Sequence, residues 1–168
     1  MNDPVANDGQ FQAAGPNPAP LPKGSIAGLT GLEALRKMIA GDLPPPPAAA
    51  TMEFWLTEAD YGRAVFASRP SAAFLNPLGT VHGGWISAVL DSAMGCAVHS
   101  TLAVGEGYTT TSMTVNMVRP LLPESGPLIC AGEVIHRGRR MATSEAKLID
   151  SRGKLIAHGS ETCMILAG

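Results

Sequence analysis

Residues 76–91, N-P-L-G-T-V-H-G-G-W-I-S-A-V-L-D, constrain the fold more than any other part of this chain. A polar loop ends in His82-Gly83-Gly84, and an apolar run of helical character follows without a break. The run continues past Asp91 as Ser92-Ala93-Met94-Gly95-Cys96-Ala97-Val98. Small and apolar side chains occupy every face, which predicts a helix over about residues 83–100, buried all round. A carboxylate at position 91 of such a helix is costly to desolvate unless it has partners or a task. Gly83 and Gly84 stand where the first free backbone N–H groups of the helix point outward. With the helix dipole behind them, those groups suit a carbonyl oxygen that gains negative charge during reaction. Each part has an ordinary structural explanation as well: a tight turn for Gly-Gly, a hydrogen-bonded loop residue for His82, a turn start for Asn76 before Pro77. One acid, one oxyanion site and one polar loop together suggest hydrolysis of an acyl compound.

Composition narrows the alternatives. A chain of 168 residues suggests one domain with a core large enough to be stable. The formal net charge of −2 argues against a general nucleic-acid binder, so no nucleic-acid partner is expected. Cys96, Cys130 and Cys163 lack metal-ligand spacing and lie in apolar segments, so they read as reduced core residues of a cytoplasmic protein, with no metal expected. The start of the chain shows neither a basic region nor a hydrophobic stretch of the signal-peptide kind. No apolar segment is long enough and free enough of charge to span a bilayer, so no membrane association is expected.

Three parts follow one another along the chain. Residues 1–28 are rich in Pro, Ala, Gly and Asn and read as a disordered tail. Residues 29–50 read as a short helix and a Pro-rich spacer. Thr30-Gly31-Leu32-Glu33 has the form of a capping box, Leu32, Leu35 and Ile39 share a helical face, and Gly41 is a natural stop. Residues 44–47, all proline, predict a stiff extended spacer. Residues 51–168 form the main domain, and most of it reads as strand. Residues 52–57 and 62–68 predict a hairpin turning at Glu58-Ala59-Asp60. After the central helix, Met113, Val115 and Met117 face one way and Ser112, Thr114 and Asn116 the other, as in a half-buried strand. Residues 126–137, 140–150 and 154–166 complete three more strands, linked by turns at Gly138 and Gly153. The simplest packing is α+β, with an antiparallel sheet curled around one long buried helix.

The spacing N-P-x-G-x-x-H-G-G, with Asp eight residues after the first Gly of the pair, resembles the hotdog-fold acyl-CoA thioesterases of the phenylacetate-pathway (PaaI-like) type. The resemblance extends to Tyr108-Thr109-Thr110 and Val115-Asn116-Met117-Val118-Arg119-Pro120, which are similar to the strand after the central helix. His136-Arg137-Gly138-Arg139-Arg140, Glu145-Ala146 and Asp150-Ser151-Arg152-Gly153-Lys154-Leu155 are similar to the next two hairpins, so the likeness covers about residues 51–166. It implies a hotdog fold, an acyl-CoA substrate, no cofactor, and a homo-oligomer, either a dimer with shared active sites or a dimer of such dimers. It also implies that the Gly83 N–H polarises the acyl carbonyl, with Gly84 beside it. His82 and Asn76 would orient groups around that carbonyl, and Thr110 would lie near Asp91, or Thr109 or Thr111 in its place. It does not identify the acyl group.

Distance agrees with a shared site. Gly83 and Asp91 are eight residues apart in sequence, hence about 12 Å along a helix. A water bridging a carboxylate and an acyl carbon needs contacts of roughly 3 Å. The two groups of one helix therefore cannot serve the same thioester, whereas an antiparallel two-fold partner could bring its Asp91 opposite this Gly83. A single carboxylate suffices for this chemistry, because a thiol with a pKa of about 8.5 leaves readily without an acid. Asp91 can act as base on water or as nucleophile through a mixed anhydride. There is no G-x-S-x-G elbow and no cysteine in a nucleophile setting. Arg119, Arg137, Arg139 and Arg140 are candidate contacts for coenzyme A phosphates, the alternative being a solvated hairpin tip. Two other functions stand beside hydrolysis: a hotdog dehydratase or hydratase acting on acyl thioesters, and a non-catalytic acyl-CoA-binding module.

Overall fold

The computed structural model describes residues 17–167. Of the segment expected to be disordered, residues 1–16 lie outside that range, and residues 17–28 form turns such as Ser25 N–H to Pro22 O at 3.1 Å. Thr30 opens the first helix, α1 (Gly31–Ala40), and its reciprocal contacts with Glu33 make the expected capping box. Gly41 closes it in the left-handed region at φ 82°. The buried face is Gly31, Ala34 and Leu35, so Ile39 does not share it. The helix is anchored near its start, where the Gly31 N–H donates to Leu102 O at 3.0 Å, and at Arg36, which pairs with Asp60 at 3.0 Å. Its last turn consequently stands clear. The prolines end differently from expectation: Pro47 begins a second helix, α2 (Pro47–Met52), which crosses the boundary expected at residue 51. A proline lacks only a donor that the first helical turn leaves unused, so the spacer ends one residue early.

The hairpin of β1 (Phe54–Asp60) and β2 (Arg63–Ser68) turns at Tyr61-Gly62, with Gly62 at φ 76°. Glu58, Ala59 and Asp60, expected in the turn, belong to β1 because a bulge between Leu56 and Glu58 carries the pairing further. The central helix α3 (Gly83–His99) follows, and then β3 (Gly107–Met117), β4 (Leu128–Arg137), β5 (Met141–Asp150) and β6 (Leu155–Leu166). All pairings are antiparallel, in the spatial order β1-β2-β4-β5-β6-β3. One sheet around one helix is the hotdog architecture that the sequence implies.

The core lies between the sheet and α3. Trp85, Ile86, Val89, Leu90, Ala93, Met94 and Ala97 pack against Phe66, Leu128, Cys130, Leu148 and Ile156. Contact is closest at Gly132 of β4, where a Cβ would stand 2.2 Å from Ala93 O. The helix is not buried all round: Ser87, Ala88, Asp91 and Ser92 form a half-buried stripe on one side. Among the described residues its cover is incomplete. Beside it runs β3, at one end of the sheet. A bulge between Thr110 and Ser112 shifts the alternation, and Thr110, Met113, Val115 and Met117 pair with Cys163, Glu161, Gly159 and Ala157 on the face toward α3.

Candidate active site

The loop before α3 is built by its own polar groups. Asn76 Oδ1 accepts from Leu78 N at 2.9 Å and Thr80 N at 3.3 Å, and its Nδ2 donates to Thr80 Oγ1 at 2.7 Å. Gly79, at φ 81°, supplies the left-handed position that this tight loop requires. Val81 N–H donates to Leu121 O at 2.8 Å, and His82 N–H to Phe74 O at 2.7 Å, so the loop is pinned on both sides. Phe74 stacks on Trp85 with centroids 5.7 Å apart, and the Trp85 indole N–H donates to Met52 O at 2.7 Å. These contacts hold the start of α3 in place.

Four N–H groups at that start would ordinarily lack partners. His82, the N-cap, accepts the Gly84 N–H on its Nδ1 at 2.9 Å, and its carbonyl accepts from Trp85 at 3.0 Å and Ile86 at 3.4 Å. Among the described residues no acceptor meets the Gly83 N–H. Gly84, expected beside Gly83 as a donor to substrate, therefore has its N–H already engaged, and Gly83 alone remains. With Nδ1 of His82 accepting, the N–H that the ring can donate is on Nε2. The side chain of Met117 lies over Gly83, close enough that a Cβ there would be 2.8 Å from its sulfur.

Asp91 sits two turns further along α3, in the half-open stripe. The Thr110 hydroxyl is 3.4 Å from Asp91 Oδ1 and 2.9 Å from Glu161 Oε1. Thr111, considered in its place, donates instead to Thr162 O at 2.9 Å. Glu161 is a site neighbour that the motif did not reveal. It is 2% exposed, and Cys163 Sγ lies 2.8 Å from its Oε1. Burial raises its pKa above the ordinary glutamate value against the opposing hydrogen bonds of Cys163 and Thr110. Burial, with the Asp91 and Glu161 carboxyls nearby, pushes the Cys96 thiol up to about 12. Cys163 is raised for the same first reason. Both thiols stay protonated at neutral pH, so neither is an activated nucleophile.

The four arginines do not gather in one place. Arg119 follows β3 near the start of α3, and its Nε donates to Leu155 O at 3.3 Å. Arg137, Arg139 and Arg140 lie at the β4–β5 turn, where the Ile165 N–H donates to Arg140 O at 2.9 Å. Gly107 and Met117, at opposite ends of β3, pair with Leu166 and Ala157, so about 30 Å separates Arg119 from the basic turn. Arg137 also departs from expectation. It is mostly buried, and its charge is met by Glu106 at 2.7 Å. Arg139 and Arg140 are exposed.

A six-stranded antiparallel sheet curled around one long helix is the hotdog fold. Residues 78–157 match the thioesterase superfamily profile. A phenylacetic acid degradation-related protein of Ralstonia eutropha, assigned as a thioesterase, is 30% identical over 77% of this chain and 98% of its own, with a TM-score of 0.71. The Escherichia coli PaaI protein of the phenylacetic acid degradation operon shares the fold at 21% identity, over 83% of this chain and 95% of its own, with a TM-score of 0.71. A Streptococcus mutans protein bound to acetyl-CoA also shares it, at 21% identity, 68% and 89% coverage and a TM-score of 0.62. No curated protein sequence matches the chain. The chain belongs to the thioesterase superfamily, as a hotdog protein of the PaaI type.

Proposed function

We propose that this protein hydrolyses an acyl-CoA thioester to the free acid and coenzyme A. The observation that carries the reading is the unpaired Gly83 N–H at the start of the helix that also presents Asp91. The Gly83 N–H polarises the carbonyl, and the helix dipole supports the charge that develops on its oxygen. His82 Nε2–H and the loop ordered by Asn76 orient groups around that carbonyl. Asp91, next to Thr110, supplies the base for water or attacks directly as nucleophile. The thiolate then leaves without an acid. The acetyl-CoA held by the Streptococcus mutans relative supports a coenzyme A thioester as substrate.

The reacting groups come from two chains. Gly83 and Asp91 lie on one continuous helix, about 12 Å apart. The half-buried stripe at Ser87, Ala88, Asp91 and Ser92 and the exposed Met113 and Met117 beside it form a surface suited to a second copy. In an antiparallel pair, Asp91 of one protomer faces the Asn76–Gly83 loop of its partner, and such dimers pair again. Residues 51–168 make up the catalytic unit. The free cysteines fit a reducing, cytoplasmic setting. Among the described residues no helix is long and apolar enough to cross a membrane.

Release of free thiol from a panel of acyl-CoA substrates tests the reaction and ranks the acyl groups. A hydratase or a binding module would release none. Asp91→Asn keeps the shape of the side chain and should lower turnover by at least about a hundredfold while the fold survives. Turnover near that of the wild type in purified Asp91→Asn would overturn the assignment.

A further inference from the structure

The hydrolysis outlined above leaves a buried carboxyl unused. Glu161 sits on β6, across from Ser144 of β5 and Met113 of β3, with its side chain toward α3. Its Oε2 is buried without a partner. The polar groups acting on it come from three elements: Asp91 and Cys96 of α3, Tyr108 and Thr110 of β3, and Cys163 of its own strand. From β5 the neighbour is Ser144, which is buried and does not titrate in this range. None of the groups that shift Glu161 is a cation. A carboxylate so placed has only the Thr110 and Cys163 hydrogen bonds to offset its desolvation, and the charge of Asp91 opposes a second one.

The Thr110 hydroxyl decides what this means for Asp91. It has one hydrogen and two carboxyl neighbours, Glu161 at 2.9 Å and Asp91 at 3.4 Å. With both carboxyls ionised, the hydrogen goes to the nearer, and Asp91 loses it. With a proton on Glu161, the direction reverses: Glu161 O–H donates to Thr110 Oγ1, and the Thr110 hydrogen turns to Asp91 Oδ1. The Cys163 thiol, 2.8 Å from Glu161 Oε1, donates from behind. The donors then run in one direction, Cys163 to Glu161 to Thr110 to Asp91, and each bond polarises the next.

We propose that Glu161 is a positioning residue for Asp91: a buried carboxyl whose proton turns the Thr110 hydroxyl toward Asp91. The proposal rests on the reading of Asp91 as the reacting carboxylate. In that arrangement Thr110 holds Asp91 by its Oδ1.

The test compares wild type, Glu161→Gln, Glu161→Ala and Asp91→Asn, with kcat and kcat/KM followed against pH on one acyl-CoA substrate. Wild-type kcat should fall at high pH as Glu161 ionises. Glu161→Gln presents an N–H donor at every pH, so it should keep kcat within about threefold and lose that fall. Glu161→Ala should lower kcat by about tenfold with KM nearly unchanged. Infrared difference spectra should show a protonated carboxyl at neutral pH in wild type that Glu161→Gln removes, a readout that stands even if Glu161→Ala does not fold. A glutamine variant as impaired as the alanine one, an alkaline fall that persists in it, or no such carboxyl band would overturn the proposal. Inactive Asp91→Asn with both Glu161 variants like wild type would overturn the role of Glu161 alone. Active Asp91→Asn would instead remove the reading on which that role depends.

Discussion

Glu161 Oε1 lies 2.9 Å from the Thr110 hydroxyl, in a part of the core where Glu161 is 2% exposed. A carboxyl in that position couples stability to pH. Its folded pKa is raised, first by burial, from an ordinary value of 4.5. Between those two values the native chain holds a proton that the unfolded chain has released, so stability is greatest at low pH and falls as pH rises through the window. Glu161→Gln cannot lose that proton. The melting temperature of Glu161→Gln minus that of wild type should therefore rise with pH and level off above the folded pKa. A difference that stays flat from acid to alkaline pH would show that the carboxyl keeps its ordinary pKa.

Complementation tests the shared site. One chain carries Asp91→Asn and the other a loop change such as Asn76→Ala, first shown to be inactive. Each homodimer lacks a needed group at both sites, whereas a mixed dimer has one site with both defects and one with neither. Co-expression with separate tags should restore up to half of normal activity per heterodimer. Isolated heterodimer no more active than its parents would place all the chemistry within one chain.

The arginines should divide by their surroundings. Arg139 and Arg140 are exposed, whereas Arg137 is tied to Glu106. Changing Arg139 and Arg140 together to Ala should raise KM for coenzyme A thioesters more than it lowers kcat, because phosphate contacts far from the carbonyl contribute uniform binding. N-acetylcysteamine thioesters lack those phosphates and should respond little. Arg137→Ala should instead lower the melting temperature, since it leaves Glu106 without its ion pair. Equal kinetic losses of the double variant on both substrates would assign the turn a structural role.

The approach of β4 to α3 sets a steric limit. A Cβ on Gly132 would stand 2.2 Å from Ala93 O, and neither backbone can give way easily. Gly132→Ala should cost about 2 kcal/mol or more. Gly107→Ala meets only ordinary contacts, with Leu166 Cβ at 3.8 Å, and should stay within about 0.5 kcal/mol of wild type. Chemical denaturation of the two variants measures the contrast, and similar midpoints would contradict the packing described.

Local sequence was a good guide wherever local chemistry sets the outcome. Thr30 and Glu33 cap α1, the apolar run after Gly84 forms α3, and the loop at Asn76 closes on itself through contacts within four residues. The turn after β1 was misplaced because the bulge at Leu56 depends on the partner strand and leaves no mark in β1 itself. The distance between Arg119 and the basic turn was not legible, since a sequence cannot show that β3 carries Arg119 to the far end of the sheet.

Glu161 marks the division between the two kinds of information. The sequence by itself determined that Ala157, Gly159, Glu161, Cys163 and Ile165 share one face of a strand, because side chains alternate along an extended backbone. It also determined a helix with an acid at position 91 and a glycine pair at its start, because apolar periodicity and a polar cap are local properties. Only the tertiary structure decided that β6 lies beside β3 with Cys163 opposite Thr110, and that α3 brings Asp91 against both strands. Residues 91, 110 and 161 meet through packing across long stretches of chain, and the burial that raises the pKa of Glu161 exists only once the sheet has closed on the helix.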